Sequence, residues 1–153
     1  TFKGNVASVG FRDLVITQVK KEDPKKITTP NPLDNSQIDQ AVVLAKSVAT
    51  AMEPKFRARI QQPETVIVGI GGVHWNSIRS QTHEKDAYTK SDLEAAIRER
   101  ADKTDAFFSS EYADTELTNL VLVYGFMNEL GIEQVRPLKV NLALGALVDT
   151  ANK

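Results

Sequence analysis

Residues 67–77 read IVGIGGVHWNS. An apolar, β-branched run meets two glycines, and a histidine and a tryptophan come directly after. The wider run TVIVGI (65–70) has the composition of a strand buried on both faces, as in a sheet covered by helices. VHWNSIRSQ (73–81) then continues as one or two turns of helix. Strand, glycine turn and helix in succession make this an α/β chain.

Upstream, NVASVGFRDLVITQV (5–19) is rich in valine and isoleucine. Val15, Thr17 and Val19 alternate with Leu14, Ile16 and Gln18, which predicts two strands or one bent strand, the second part near 13–20. KKEDPKKITTPNPLDNS (20–36) is a surface connection with three prolines. Ile38, Ala41, Val42, Ala45, Val48, Ala49 and Met52 fall at i, i+3, i+4, i+7 spacing and predict a helix, capped by Asn35 or Ser36. Pro54 ends this helix or kinks it before FRARI, and Pro63 is a clear stop.

Downstream, YTKSDLEAAIRERAD (88–102) predicts a helix capped by Thr89 or Ser91, and Thr89 with Asp92 comes close to a capping box. Residues 103–113 read as a loop or short helix. ADTELTNLVLVYGFMNELG (113–131) is apolar on nearly all sides from Leu117 to Phe126, as a central buried helix is, with Gly131 closing it. EQVRPLKV (133–140) reads as a strand parallel to 65–70, its Pro137 marking an edge or a strand end. NLALGALVDTANK (141–153) predicts a last helix. No repeat or low-complexity stretch divides the chain, so residues 1–153 are read as a single domain.

The totals fit that reading. The chain has 153 residues, 41% of them hydrophobic and 25% charged, an ordinary balance for a globular domain. A net charge of -1 gives no global attraction to nucleic acid or to an anionic membrane. No stretch approaches the ~20 apolar residues of a membrane-spanning helix. There is no cysteine, which excludes disulfides, thiolate catalysis and cysteine-ligated zinc. His74 and His83 are too few for a metal site, and no loop carries closely spaced acidic ligands, so no metal site is expected in this segment. The chain opens on TFKGNV without an initiator methionine, as expected of a piece of a longer protein or of a processed chain.

The candidate chemistry centres on Gly71, Gly72, Val73 and His74. Glycines lack Cβ atoms, so the backbone there can approach a phosphate or a flat nucleoside, and N–H groups at the start of the next helix attract an anion. The same pair equally supplies a tight turn. Neither GxGxxG nor GxxxxGK[ST] is present. His74 is a general base, a phosphate contact or a structural histidine. Trp75 either stacks on a base or anchors the loop. Glu84 and Asp86 read as an exposed turn. No carboxylate in the chain is a credible catalytic group.

Several stretches in order resemble the exopolyphosphatase and guanosine pentaphosphate phosphohydrolase family. They are SVGFRDLVITQV (8–19), IVGIGGVHWNSIRS (67–80), YTKSDLEAAI (88–97) and TNLVLVYGFMNELGIEQVRPLKVNLALGALVD (118–149). The resemblance implies an RNase H-like domain of the actin-like ATPase superfamily: a mixed sheet flanked by helices, incomplete at its N-terminus. The chain would be most of the second domain of a two-domain phosphohydrolase. It further implies a phosphorylated ligand, Mg2+ in the parent enzyme, an N-terminal partner domain of the same protein and a cytoplasmic setting, export remaining open. A homodimer could form through the face left bare by the absent domain.

The departures are specific. The family's upstream phosphate loops and catalytic carboxylate have no counterpart in this chain. Val73 stands where the family has threonine. Leu138, Lys139, Ala143 and Leu144 replace its serine, aspartate, arginine and glutamate, and Gly145 alone is kept. The expectation is therefore a phosphohydrolase domain inactive by itself. The alternatives are a non-catalytic phosphate- or nucleotide-binding relative, or a protein-interaction domain.

Overall fold

The computed structural model describes residues 8–108 and 110–140. They form a mixed α/β arrangement of helices packed around one central helix beside a small sheet. In chain order, α1 (Ser8–Val15) runs into a π-helical turn (Ile16–Lys20). Then come α2 (Asn35–Thr50), α3 (Pro54–Ile60), β1 (Val68–Ile70), a second π-helical segment (Val73–Ile78) and α4 (Arg79–Gln81). β2 (Tyr88–Thr89), α5 (Lys90–Arg100), α6 (Asp105–Phe108), α7 (Ala113–Leu130) and β3 (Gln134–Leu138) complete it. The helix expected over 141–153 lies outside the described residues.

α7 is the axis of the core. Leu117, Leu120, Val121, Met127 and Leu130 are buried on it. α2 lies along it and presents Ala41, Ala45 and Ala49, all fully buried. Small residues are needed because the two backbones approach closely. A Cβ built on Gly125 would sit 2.4 Å from Ala45 Cβ and 3.2 Å from the Val42 carbonyl oxygen. Gly125 is thus a packing glycine, fixed by its neighbour rather than by its own backbone angles. α2 starts at a reciprocal cap: Gln37 N–H donates to Asp34 Oδ1 at 2.8 Å, and Asp34 N–H donates to Gln37 Oε1 at 3.1 Å. The cap is therefore Asp34, not Asn35 or Ser36, because only Asp34 stands three residues before an amide that can return the bond. α3 begins with Pro54 at its first position, where the missing N–H costs nothing.

The N-terminal segment departs from the strand expectation. Residues 8–20 are helical throughout. Phe11, Val15, Ile16 and Val19 are buried in the common core. Their spacing of four, one and three suits a helix face, and α7 and α2 supply the surfaces that face is buried against. The alternation of Val15, Thr17 and Val19 is an accident of β-branched composition, overridden by these partners. Residues 5–7 of the expected strand lie outside the described residues.

The sheet has the order β1-β3-β2, with β1 parallel to β3 and β2 antiparallel to it. The parallel pairing matches the sequence expectation. The expected burial of 65–70 on both faces does not hold. Gly69 is buried, but Val66 is 68%, Val68 42% and Ile70 40% exposed. Leu138, paired with Ile70, is exposed on the same face. No helix among the described residues covers that side. Pro137 sits on the central strand, not an edge. It is tolerated there because β2 pairs only with Gln134 and Val135, so at Pro137 the strand has β1 as its one neighbour.

α5 and α7 are bounded as their sequences dictate. Thr89 and Asp92 form a full capping box at the start of α5. Gly131 takes the left-handed conformation at φ 67° and closes α7 through its N–H to the Met127 carbonyl.

Candidate functional site

The glycine turn joins β1 to the second π-helical segment. Gly71 has φ 84°, a left-handed angle that disfavours a side chain. Its N–H donates to the Val140 carbonyl at 3.1 Å, and its own carbonyl accepts from Trp75 N–H at 3.0 Å. Gly71 is therefore the turn residue proper. Gly72 is different. Its φ of -61° and ψ of -35° suit any residue, and an added Cβ would meet nothing nearer than Asn76 Nδ2 at 3.6 Å. Its lack of a side chain is not demanded by the backbone.

The segment beyond the turn bonds with a wider pitch than an α-helix, Arg79 N–H reaching back five residues to the His74 carbonyl. Such π turns recur at functional positions. Here the wider turn helps set one wall of a cleft of about 970 Å3. Gly72, Val73, Ser77 and Gln81 line that wall, and α7 faces it with Asn119 and Glu116. Phe108 and Tyr112 stand at the end where α6 leads into α7, with Arg100 of α5 nearby.

The floor is polar and nearly closed to solvent. Gln81 is 6% and Asn119 4% exposed. Ser77 and Gln81 are one helical turn apart, so they share a face. Ser77 Oγ accepts from Gln81 Nε2 at 3.1 Å and from Asn119 Nδ2 at 3.1 Å. Having accepted twice, the Ser77 hydroxyl retains its own proton to donate. Gln81 Nε2 also donates to the Glu116 carbonyl at 3.2 Å. A carbonyl can only accept, so this contact fixes the orientation of the Gln81 amide. Gln81 Oε1 is then left buried with no partner. Arg100 is the second such group. Its Nη1 serves the Ala96 carbonyl and Glu99, while its buried Nε has no partner.

The charges around the cleft are mainly acidic. Glu111, Asp114 and Glu116 line it with Arg100 as the single lining cation among the described residues. Asp114 is tied to Arg12 of α1 by an ion pair.

The structure separates the residues expected from sequence. Gly72 and Val73 stand on the cleft wall. Gly71 forms the turn behind them. His74 lies away from the cleft, its ring over Gly69, where an added Cβ would come within 2.4 Å of Cγ. Its Nδ1 is 2.5 Å from the Tyr88 hydroxyl, with the two rings parallel to within 8°. Burial pushes the His74 imidazole below its ordinary value and the Tyr88 phenol above its own. This histidine is held as a neutral packing group. Trp75 carries the Arg79 guanidinium over its ring at 4.5 Å, so it anchors the segment locally. His83, Glu84 and Asp86 are exposed in the turn expected for them.

Ser77, Gln81 and Asn119 were not singled out by sequence reasoning. The signals for them were the i, i+4 pair of polar side chains after the glycines and a lone asparagine inside the apolar run of α7. Among the described residues, no three histidine, cysteine, aspartate or glutamate side chains converge as metal ligands. No helix among the described residues is long and apolar enough to cross a membrane. No protein-family model, no curated protein and no solved structure matches this chain.

Proposed function

We propose that this domain binds a small polar ligand in the cleft between the glycine-turn helix and α7, and carries out no hydrolysis by itself. One observation carries the reading: a cleft of about 970 Å3 is lined by a hydrogen-bonded network of Ser77, Gln81 and Asn119, the last two buried. Its volume lies at the upper end of small-molecule sites, and convergent polar groups on an otherwise closed floor are how such sites orient their ligands. Among the cleft residues, no acid or base is paired with a nucleophile in the manner that acyl or phosphoryl chemistry requires.

Gly72 provides the test. A phenylalanine at this position has an acceptable backbone and open space in front of it, so Gly72→Phe fills the mouth while the fold persists. Wild-type protein is expected to retain members of a defined library of phosphorylated and unphosphorylated small molecules, and Gly72→Phe is expected to lose them. Equal retention by both proteins would overturn the reading.

A second reading keeps the domain in an RNase H-like phosphohydrolase that acts on polyphosphate or guanosine pentaphosphate. It is favoured by Gly72 and Val73 standing on the cleft wall, where the resemblance puts a ligand loop. A second domain would then supply the catalytic carboxylate and the metal. Under either reading the isolated chain releases no phosphate from polyphosphate with Mg2+. Release above that of a Gly71/Gly72 double variant would refute this.

A further inference from the structure

β1 and β3 form a parallel pair, and parallel pairs are almost always buried on both faces. One face here is filled. Gly69, Val135 and Pro137 are buried on it, and the second π-helical segment packs against both strands. The other face carries Val66, Val68, Ile70 and Leu138, all exposed, with no cover among the described residues. Alternation along the strands puts these four side chains on the same side. Arg136, paired with Val68, can carry its guanidinium to the margin on an apolar stem.

The chain leaves the sheet at the end of this face. Val140 N–H donates to the Leu138 carbonyl at 2.8 Å, a bond across one residue that turns the chain at Lys139. The Val140 carbonyl accepts from Gly71 N–H at 3.1 Å, which pins the exit beside the end of β1. Residues 141–153, NLALGALVDTANK, continue from that point. Leu144, Leu147, Val148 and Ala151 fall at i, i+3, i+4, i+7 and make one apolar stripe. Asn141, Gly145, Asp149 and Asn152 form a polar stripe beside it.

Size decides between occupants. A helix over 141–153 is about 20 Å long, and β3, with five residues, is about 17 Å long. A helix about 10 Å across lies over two strands about 4.8 Å apart. The exposed apolar patch is on the order of a few hundred Å2, short of the roughly 800 Å2 that each partner of a stable dimer buries. It suits one helix rather than a second copy of the chain.

We infer that residues 141–153 return as an amphipathic helix along β1 and β3, with Leu144, Leu147 and Val148 against Val68, Ile70 and Leu138. The segment then closes the second face of the sheet. It also holds from behind the Gly71 turn, which brings Gly72 and Val73 to the cleft wall.

The absence of cysteine permits a clean test in the full chain. Two double variants are compared: Val68→Cys with Leu147→Cys, and Val68→Cys with Asp149→Cys. On mild oxidation the first pair is expected to close an intrachain disulfide at least about tenfold faster than the second, because only the apolar stripe is held against the sheet at high effective concentration. Equal rates in the two, or no intrachain closure in the first, would overturn the assignment. A disulfide between chains as the main product would overturn it in favour of a second copy. The unsubstituted chain is measured beside them, so that the outcome does not depend on the variants folding. Its methyl-labelled NMR spectra are expected to show contacts from Leu147 or Val148 to Val68 or Ile70 that persist on dilution. Absence of these contacts, or their loss on dilution, would overturn the assignment.

Discussion

Replacing Gly125 by alanine should destabilise the protein, although alanine is the better helix former. The new methyl would lie 2.4 Å from Ala45 Cβ and 3.2 Å from the Val42 carbonyl oxygen. Neither neighbour is the end of a flexible side chain, so α2 must move away from α7. Forced overpacking of this severity costs about 3 kcal/mol, and the gain in helix propensity returns about 1 kcal/mol, for a net loss of about 2 kcal/mol. For a chain of this size that lowers the melting temperature by about 4–8 °C. Ala45→Gly alone should cost about 2 kcal/mol, from lost propensity and one buried methyl. Combined, the two changes exchange the methyl between helices and remove the overlap. The double variant should therefore lose only about 1 kcal/mol, against about 4 kcal/mol for independent effects. Urea unfolding followed by circular dichroism on all four proteins measures this cycle. A double variant within about 0.5 kcal/mol of the sum of the single changes would refute the claim that these two positions collide.

Other parts of the molecule give further expectations. His74 is held neutral by burial, below its ordinary value of 6.5. The unfolded chain then binds the proton more readily, so stability present above pH 6.5 declines as the pH falls through and below it. In His74→Gln this slope should flatten in unfolding titrations, and an unchanged slope would show that another group is responsible. Gly69→Ala should push the His74 ring off its seat and cost about 1–3 kcal/mol, visible as loss of the His74–Tyr88 contact in NMR spectra. Asp34→Ala removes one half of the α2 capping box and should cost about 1 kcal/mol in thermal unfolding. Val68→Lys, on the sheet face assigned to residues 141–153, should cost more than about 0.5 kcal/mol in urea unfolding, and a smaller loss would mean that face is open in solution.

Long helices were legible because two independent signals agreed in each. In α2 the apolar spacing and the flanking prolines bounded the same segment. In α5 the Thr89–Asp92 pair sits where the periodicity begins, and in α7 Gly131 sits where it ends. The N-terminal segment carried two conflicting signals. Phe11, Val15 and Val19 mark a helix face, while Val15, Thr17 and Val19 mark a strand. Only the presence of α2 and α7 decides between them, and that is a tertiary fact. TVIVGI was legible as a strand but not in its burial, since composition does not reveal how many faces of a sheet the rest of the chain can cover. At the site, the glycine turn announced itself, and Gly72 and Val73 do face the cleft. His74 drew attention as a reactive residue type, yet its ring is committed to Gly69 and Tyr88. The polar floor was hard to see because Ser77 meets Asn119 from 42 positions away in the chain, a pairing no local pattern encodes.

Gly72 makes the cleft unusually open to chemical interrogation. Its backbone accepts any side chain, it borders the cavity, and the chain contains no cysteine. A cysteine placed there is the sole thiol in this chain. It can carry a spin label, a fluorophore or a disulfide-tethered fragment at the mouth of the cleft with no competing site of attachment. A position without a side chain thereby becomes the point from which occupancy of the cleft can be reported directly.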